Sequence, residues 1–337
     1  MRTRGFPSSW GAIVCAIACG SGAGPKPAVA EPARAAQRPR PATSIGAATA
    51  ERVKLAWEAA AGGYGRAVAV SSVHQRVAYA SKTHVALYDL RSGKLLAKAE
   101  PCNEVVHTGL SFVGAKLHLV CDDQLVSYAA DKLIAVQAPS IAAQRVTAAA
   151  FVGERLALGH RDGVVRVYDL KKGSKVEVVV PGPPIDVKSL ALSADGKRLA
   201  VAWVQGSVWW WELATPTQFH ELIRHDAESD ALAFDHTGQV LAEEGARHTT
   251  TLWELSEPAK QRAKLQGGDW VKQILFSADD KLLVRGGSDG LHLSEIGGPK
   301  RVVLDASGKI EDVAADEGFK KLAAADRDGR LSLWAVR

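Results

Sequence analysis

The sequence predicts an all-β fold built from seven copies of one four-stranded unit. Two independent anchors carry this prediction. The end of the third strand in each unit is usually an aromatic residue, an acid and an aliphatic residue, and successive copies begin 40 to 43 residues apart. The last residue of the first strand recurs in register, with steps of 39 to 42 residues. A period of about 41 residues with four short strands per repeat is typical of a seven-bladed β-propeller with antiparallel blades.

The repeats fill the chain from residue 51 to residue 337 and predict how the ring closes. The last repeat ends at Arg337, directly after its third strand, and Val53–Ala59 precedes the first repeat without a blade of its own. We expect this N-terminal strand to supply the fourth strand of the last blade, because closure removes an exposed sheet edge. The third-strand anchors begin at Tyr88, Tyr128, Tyr168, Trp211, Trp253, Ser294 and Trp334, and the first-strand anchors are Val70, Phe112, Phe151, Leu192, Phe234, Phe276 and Ala315.

The segment LALGHRDGVVRVYDL (Leu156–Leu170) resembles the repeats of the WD-repeat propeller family. The resemblance covers nearly all of residues 51–337 and is specific for fold rather than function. It implies a structural aspartate in the turn between the second and third strands, but Lys82, Gln205 and Arg247 stand there in blades one, four and five. The family's partner histidine is matched only by His225, whose blade lacks the aspartate, so packing is expected to dominate stability. The matching aspartates are Asp122, Asp162, Asp289 and Asp328.

The N-terminus has the pattern of an export signal, which we place at residues 1–18. Arg2 and Arg4 precede a short apolar run, Gly11–Ala18, that is far too short to span a bilayer. The run ends in Ala-Ile-Ala-Cys, which resembles a lipoprotein cleavage box and predicts lipidation of Cys19. The absence of an aspartate after Cys19 favours the outer membrane by the same resemblance. The alternative is cleavage after Ala30, which would release a soluble periplasmic or secreted protein.

Residues 19–50 are predicted to form a linker between the lipid and the propeller. They also carry part of the net positive charge of the chain. This stretch is rich in Pro, Ala and Gly and lacks the apolar content that a packed core needs. The formal charge of +5 lies entirely in the first 50 residues, so residues 51–337 are formally neutral. A neutral propeller lacks the basic surface expected of a protein that binds nucleic acid.

The two cysteines of the predicted propeller are expected to form a disulfide. Cys102 lies in the loop that leads into the second blade, and Cys121 ends the second strand of that blade. The topology brings both to the same rim, and an exported protein meets an oxidising compartment. The alternative is that both are small buried residues.

Two motifs resemble catalytic signatures but are interpreted as turns. Gly286–Gly290 fits G-x-S-x-G, yet a nucleophile of that type requires a strand-to-helix elbow in an α/β fold. His160-Arg161-Asp162 spells a kinase triplet without the other kinase motifs. Both lie where an Asp-Gly turn recurs in the repeats. The sequence contains no H-E-x-x-H pair and no zinc-like cysteine spacing.

A partner is expected to bind the face that carries the loops leading into each blade and the turns between second and third strands. Trp270 lies in such a loop, and exposed rim aromatics often dominate binding energy. The alternative for Trp270 is local packing, and the alternative for each arginine is a solvated charge. The arginines expected on this face are Arg161, Arg247 and Arg327.

These observations favour a non-enzymatic protein-interaction scaffold of the bacterial cell envelope. We expect it to act without a cofactor or metal, as a monomeric propeller that its N-terminal lipid tethers to the membrane. Its expected partner is a protein, and its only membrane contact is the lipid. The alternatives are a propeller enzyme, such as a hydrolase, lyase or quinone-dependent dehydrogenase, and a propeller that binds a small ligand or carbohydrate. A channel lined by clustered acids and histidines would favour the enzyme, and a small apolar lining would count against it.

Overall fold

The computed structural model describes residues 43–121, 124–141, 145–173, 175–224, 228–245, 248–266, 270–305 and 308–337. These residues form seven four-stranded antiparallel sheets. The first strand of each sheet packs against the first strands of its two neighbours, which arranges the sheets as blades around a central channel. The predicted all-β, seven-bladed propeller is therefore confirmed.

Each of the first four blades runs from an inner strand at the channel to an outer strand at the rim, in chain order. Blade 1 contains β2 (Gly65–Ser71), β3 (Arg76–Ser81), β4 (Val85–Asp89) and β5 (Leu95–Ala99), and blade 2 contains β6 (Val105–Val113), β7 (Lys116–Cys121), β8 (Leu125–Ala129) and β9 (Ala135–Val136). Blade 3 contains β10 (Val146–Val152), β11 (Arg155–His160), β12 (Val165–Asp169) and β13 (Val176–Val180), and blade 4 contains β14 (Val187–Leu192), β15 (Arg198–Trp203), β16 (Ser207–Glu212) and β17 (His220–Arg224).

The last three blades follow the same plan until the ring closes. The outer strand of blade 7 comes from the N-terminus, as predicted: β1 (Val53–Ala60) pairs antiparallel with the last strand of the chain, with Val53 opposite Val336. Blade 5 contains β18 (Leu232–Phe234), β19 (Val240–Gly245), β20 (Thr249–Glu254) and β21 (Lys260–Gln266), blade 6 contains β22 (Gln273–Phe276), β23 (Leu282–Gly287), β24 (Gly290–Glu295) and β25 (Arg301–Asp305), and blade 7 contains β26 (Ile310–Ala315), β27 (Lys321–Asp326) and β28 (Arg330–Val336).

Burial explains why the middle strands read as almost continuous apolar runs. Each blade is covered on both faces by its neighbours, so strands such as β3 and β27 bury all but their first residue. Trp203, Trp211 and Trp334 are among the largest fully buried side chains. In the outer strand β13, half-buried and exposed positions instead alternate, because one side of the rim faces solvent.

Asp-Gly turns connect second and third strands in several blades. Glycine is favoured there because the turn requires a positive φ. Gly163 has φ +80, and a Cβ at that position would lie 1.6 Å from the carbonyl oxygen of Pro183. The triplet His160–Asp162 leads into this turn, and Gly286–Gly290 forms the corresponding turn between β23 and β24. Both motifs that resemble catalytic signatures therefore lie in structural turns.

The aspartates that the repeat pattern places in these turns have different partners. Asp162 accepts a hydrogen bond from the backbone N–H of Val164 at 3.1 Å. Asp289 lies 3.0 Å from Nε2 of His292 and 3.3 Å from Arg301.

Blade 7 departs from the pattern, because its turn is organised by Asp326 rather than Asp328. The Asp326 carboxylate accepts hydrogen bonds from the backbone N–H groups of Asp328 and Arg330. Asp326 ends β27 with its side chain buried, which directs the carboxylate inward across the turn. Asp122, in blade 2, lies outside the described residues.

Cys102 and Cys121 are joined by a disulfide, with their Cα atoms 6.2 Å apart. This is the pairing that the sequence predicts. The bond ties the loop that leads into blade 2 to the end of β7, at the same rim. Cys121 is fully buried, so the bond is shielded from solvent on that side.

The folded body begins earlier than the predicted boundary at residue 51. Ile45 is fully buried and belongs to the same apolar cluster as Phe319 and Leu322. Its backbone N–H donates to the carbonyl of Phe319 at 2.7 Å, and the N–H of Ala47 donates to Asp279. Composition predicts a linker here because a single isoleucine stands among small and polar residues, but that isoleucine fits an apolar site between blades 6 and 7. Residues 43–50 therefore belong to the propeller.

Helical structure in the described ranges consists of the 3-10 turn η1 (Ala50–Arg52), just before β1. No helix there is long and apolar enough to cross a membrane. The predicted signal segment 1–18 and Cys19 lie outside the described residues.

Candidate functional site

The channel at the centre of the ring forms a cavity of about 800 Å³. We call the front face the side that carries the loops leading into each first strand and the turns between second and third strands. Polar and charged side chains line the channel where it opens on this face, and we call this group the channel mouth. Its members are Tyr64, His107, Lys188, Asp230, Lys272, Glu311 and Arg327.

β-bulges at the start of the inner strands place several of these side chains. In blades 4 and 7 the strand pairing skips one residue, at Lys188 and at Glu311. A bulge of this kind leaves the extra residue outside the ladder and re-aims its side chain. Blade 2 has a wider bulge between Val105 and Leu110, which includes His107. The irregular starts of three inner strands therefore place Lys188, Glu311 and His107 at the channel mouth.

Two lysines share one aspartate across the inner strands of blades 4, 5 and 6. Lys188 Nζ lies 2.9 Å from Oδ1 of Asp230, and Lys272 Nζ lies 2.9 Å from Oδ2. Burial raises the pKa of Asp230, but the hydrogen bonds from both lysines outweigh burial and hold the pKa below its ordinary value. Lys188 also pairs with the half-exposed Glu228. This part of the mouth thus holds two ammonium groups around one buried carboxylate.

A second charged group lies at the junction of blades 7 and 1. The guanidinium of Arg327 contacts Oε1 of Glu311 through Nε at 2.8 Å and through a terminal nitrogen at 2.7 Å. The hydroxyl of Tyr64 donates to the same oxygen at 2.8 Å. Arg327 and Arg66 both lie over the Tyr64 ring, 5.5 and 5.2 Å from its centroid. One oxygen of the Glu311 carboxylate, Oε1, is therefore shared by Tyr64 and Arg327.

The pKa of His107 reflects both its burial and the charges around it at the channel mouth. Burial, together with the positive charges of Arg66, Lys272 and Lys188, lowers the pKa of His107 to about 3, while Asp230 acts in the opposite direction. The imidazole is therefore neutral at physiological pH. Cations dominate the field at this position.

The middle of the channel is apolar and small, apart from polar contacts that join neighbouring blades. Residues such as Ala150, Leu190, Ala233 and Ala314 line it. Side-chain hydroxyls bridge the inner strands from one blade to the next, with carbonyl oxygens as acceptors. These bonds run from Thr108 to Ala149, from Thr147 to Val187 and from Ser189 to Ser229.

Asp312 joins three blades at the place where the ring closes. Its carboxylate accepts hydrogen bonds from the backbone N–H of Val68 at 2.8 Å and from the side-chain amide of Gln273 at 3.1 Å. Complete burial raises the pKa of Asp312 to about 7, although these donors act in the opposite direction. The residue contributes to closure of the ring as well as to the channel wall.

Trp270 stands at the rim of the channel mouth, as the sequence predicts for the front face. The side chain is 60% exposed. Its backbone lies in the left-handed region with φ +48, a conformation that L side chains adopt rarely. The ring lies 5.8 Å from that of His248, and Nζ of Lys272 lies 5.7 Å from the ring centroid. The local contacts leave most of the indole open to solvent, which differs from the alternative of a packed tryptophan.

The other candidate residues are placed less closely together. Arg327 belongs to the channel mouth, through its contact with Glu311 and Tyr64. Arg161 is exposed in the turn between β11 and β12 and is not among the residues that line the channel. Arg247 and Cys19 lie outside the described residues.

Sequence reasoning missed most of the channel mouth, including Lys188, Asp230, Lys272 and Glu311. The sequence did contain a signal for this site, since these four residues recur at intervals of about 41 residues near the start of successive inner strands. Each one by itself reads as an ordinary surface charge. The bulges that direct Lys188 and Glu311 to the opening are visible only in the strand pairing, whereas Asp230 and Lys272 lie just before strands β18 and β22.

A buried polar network lies behind the mouth, between blades 5 and 6. Thr250 donates to Oε2 of Glu244 at 2.6 Å, and Arg285 contacts Thr250 at 3.2 Å and Ser294 at 3.0 Å. Burial raises the pKa of Glu244 to about 7, against the hydrogen bond from Thr250 and the charge of Arg285. Within the described ranges, no group of three histidine, cysteine or acidic side chains is arranged to hold a metal ion.

Comparisons with known proteins add no assignment. No protein-family model matches the chain, and no curated protein is significantly similar to it in sequence.

Proposed function

We propose that this chain is a non-enzymatic protein-interaction scaffold of the bacterial cell envelope, which binds a protein partner on the front face around Trp270. The propeller fold is consistent with such a role. The observation that carries the proposal is Trp270 itself, a 60% exposed aromatic side chain held at positive φ on the rim of the channel.

An exposed tryptophan in a strained backbone conformation is costly to keep for packing alone. Residues held in sparsely populated backbone regions concentrate at binding sites and ligand clamps. Tryptophan is also among the residues that most often dominate the energy of protein interfaces. The charges of Lys272 and Arg327 beside the rim supply polar contacts around such an anchor.

The envelope part of the proposal depends on the N-terminal sequence. The charged start, the short apolar run and Cys19 are the features of a lipidated export signal. The Cys102–Cys121 disulfide supports the same proposal, because disulfides persist in oxidising compartments such as the periplasm. The resemblance of the repeats to WD-repeat propellers belongs to this proposal as well.

The channel supports a second candidate, a propeller that binds a small ligand. Its volume of about 800 Å³ lies in the range of known ligand pockets, and its polar mouth lies above an apolar middle. A ligand bound there would contact the channel wall rather than the exposed indole.

A pull-down of the tagged full-length protein from detergent-solubilised envelopes tests the proposal. We expect a specific protein that is retained by the wild type and lost on Trp270→Ala. Phe219→Ala is the matched control, because Phe219 is also a half-exposed aromatic residue but lies at the rim of blade 4. A strain with Cys19→Ala separates the role of the lipid from that of the propeller. Equal recovery of the partner by both aromatic variants would reject the front face.

A further inference from the structure

We propose that the channel mouth binds a carboxylate that the protein partner presents next to an apolar residue, with Lys188 and Lys272 contacting the carboxylate and Trp270 packing against its neighbour. This inference rests on the proposed function and adds the chemistry of the partner. It predicts an acidic residue in the bound segment, flanked by a large apolar one.

The lysines have hydrogen-bonding capacity that the fold does not use. An ammonium group carries three N–H donors. The contact with Asp230 takes one donor of Lys272, whose side chain remains 27% exposed toward the mouth. Lys188 is 29% exposed and similarly placed on the other oxygen of Asp230. The two ammonium groups therefore present their remaining donors around one opening.

Two lysines share one buried aspartate, so this part of the opening has an excess of positive charge when Glu228 is displaced. At His107, which lines the same opening, the cations Arg66, Lys272 and Lys188 act together, and Asp230 opposes them. The charge of Glu311 is offset by the ion pair that its carboxylate forms with Arg327. A neutral imidazole beside the lysines adds a further hydrogen-bonding group.

The acid that competes for Lys188 is easily displaced. Glu228 pairs with Lys188 at the rim and is 48% exposed. Exposed ion pairs of this kind contribute little, typically about 0–1 kcal/mol. A carboxylate from a partner can take its place while Glu228 turns to solvent.

The position of Trp270 argues for a protein segment rather than a free small carboxylate. The centroid of the indole lies 5.7 Å from Nζ of Lys272, on the rim outside the opening. A ligand that fills both places must extend from the mouth onto the front face.

The test is a selection of random short peptides on the purified full-length protein, followed by binding titrations. We expect selected peptides to carry an Asp or Glu beside a large apolar residue. Lys272→Gln should weaken the best peptide about tenfold. Lys264→Gln is the matched control, since Lys264 is exposed on outer strand β21, and should change binding by less than about twofold.

A double-mutant cycle distinguishes direct contact from a structural effect. Replacing the acid of the peptide by its amide should weaken binding to the wild type about tenfold and binding to the Lys272→Gln protein much less. Additive losses would overturn the proposed contact. Peptides that depend on Trp270 but show no preference for acids would overturn the carboxylate while leaving the front-face scaffold intact.

Two further outcomes are informative. If no peptide is selected, both the carboxylate and the proposed peptide-binding face fail. Succinate serves as the probe for a free carboxylate. If it binds more tightly than the selected peptides and its binding is lost in Lys272→Gln, the ligand is a small molecule and the partner segment is rejected.

Discussion

Replacing Ile45 by alanine should destabilise the whole propeller, although the residue lies in a stretch that composition assigns to a linker. Ile45 is 0% exposed in an apolar cluster between blades 6 and 7, and its backbone pairs with Phe319. The change removes three carbon atoms from this site. At ~0.8 kcal/mol per buried methylene, the lost transfer energy is about 2.4 kcal/mol.

The cavity left behind adds to this loss. Substitutions of buried Ile by Ala cost about 2–5 kcal/mol in total, depending on how far the site can collapse. We therefore expect the free energy of unfolding to fall by about 3–4 kcal/mol. For a folded body of this size, that corresponds to a decrease of roughly 6 °C in the melting temperature.

Chemical unfolding of the full-length protein, followed by tryptophan fluorescence, measures the change. The matched control is Ile134→Ala, because Ile134 is 59% exposed between β8 and β9 and should change the unfolding free energy by less than about 0.5 kcal/mol. Equal effects of the two substitutions would show that residues 43–50 do not dock on blade 7. The reasoning from burial would then be wrong for this segment.

Three other changes probe the disulfide, the buried acid and the strained tryptophan. Replacing both Cys102 and Cys121 by alanine should lower the unfolding free energy by about 3 kcal/mol, because the bond closes a loop with a sequence separation of 19 residues; denaturant unfolding with and without reductant measures it. Glu244→Gln keeps an acceptor for Thr250 but cannot bind a proton. The difference in unfolding free energy in favour of the wild type should therefore grow as the pH falls from about 8 to about 5, and unfolding measurements at both pH values test this. Trp270→Gly should leave the melting temperature unchanged or slightly raised, since glycine accepts φ +48 without strain, while partner binding is lost.

The sign of the Glu244 effect follows from its raised pKa. In the fold the carboxyl binds a proton below about pH 7, whereas in the unfolded chain it does so only near its ordinary pKa. The folded state therefore gains stability as the pH falls through this window, and the gain is lost as the pH rises through about 7. A constant difference between wild type and variant would contradict this.

Contradicting outcomes for the other two changes are equally direct. If reductant leaves the wild type as stable as before, the disulfide does not contribute to the fold. If Trp270→Gly lowers the melting temperature by several degrees, the indole packs against the front face and does not serve as a free anchor.

The repeat architecture was predictable because packing in a propeller is local and periodic. Anchors such as Tyr88 and Trp211 end third strands whose two faces are buried by neighbouring blades, so the same residue types recur at the same step. The closing strand was predictable because Val53–Ala59 had no other partner. The disulfide was predictable because Cys102 and Cys121 fall at one rim of one blade.

The candidate site was only partly predictable. Trp270 stands out in a sequence because a large aromatic residue in a loop is unusual. Lys188 and Asp230 do not, since lone charges are common on any surface. The use of Asp326 in place of Asp328 was also hidden, because the choice depends on which carboxylate the end of β27 directs into the turn.

The sequence by itself determined the period, the number of blades and the way the ring closes, because these depend on patterns that repeat along the chain. Only the tertiary structure decided that Ile45 joins the core and that Lys188, Asp230 and Lys272 meet at one opening. The physical reason is that both outcomes depend on distances across the ring. Residues about 40 positions apart in the chain become neighbours only when successive blades pack side by side, and at Lys188 a bulge also turns the side chain toward the channel.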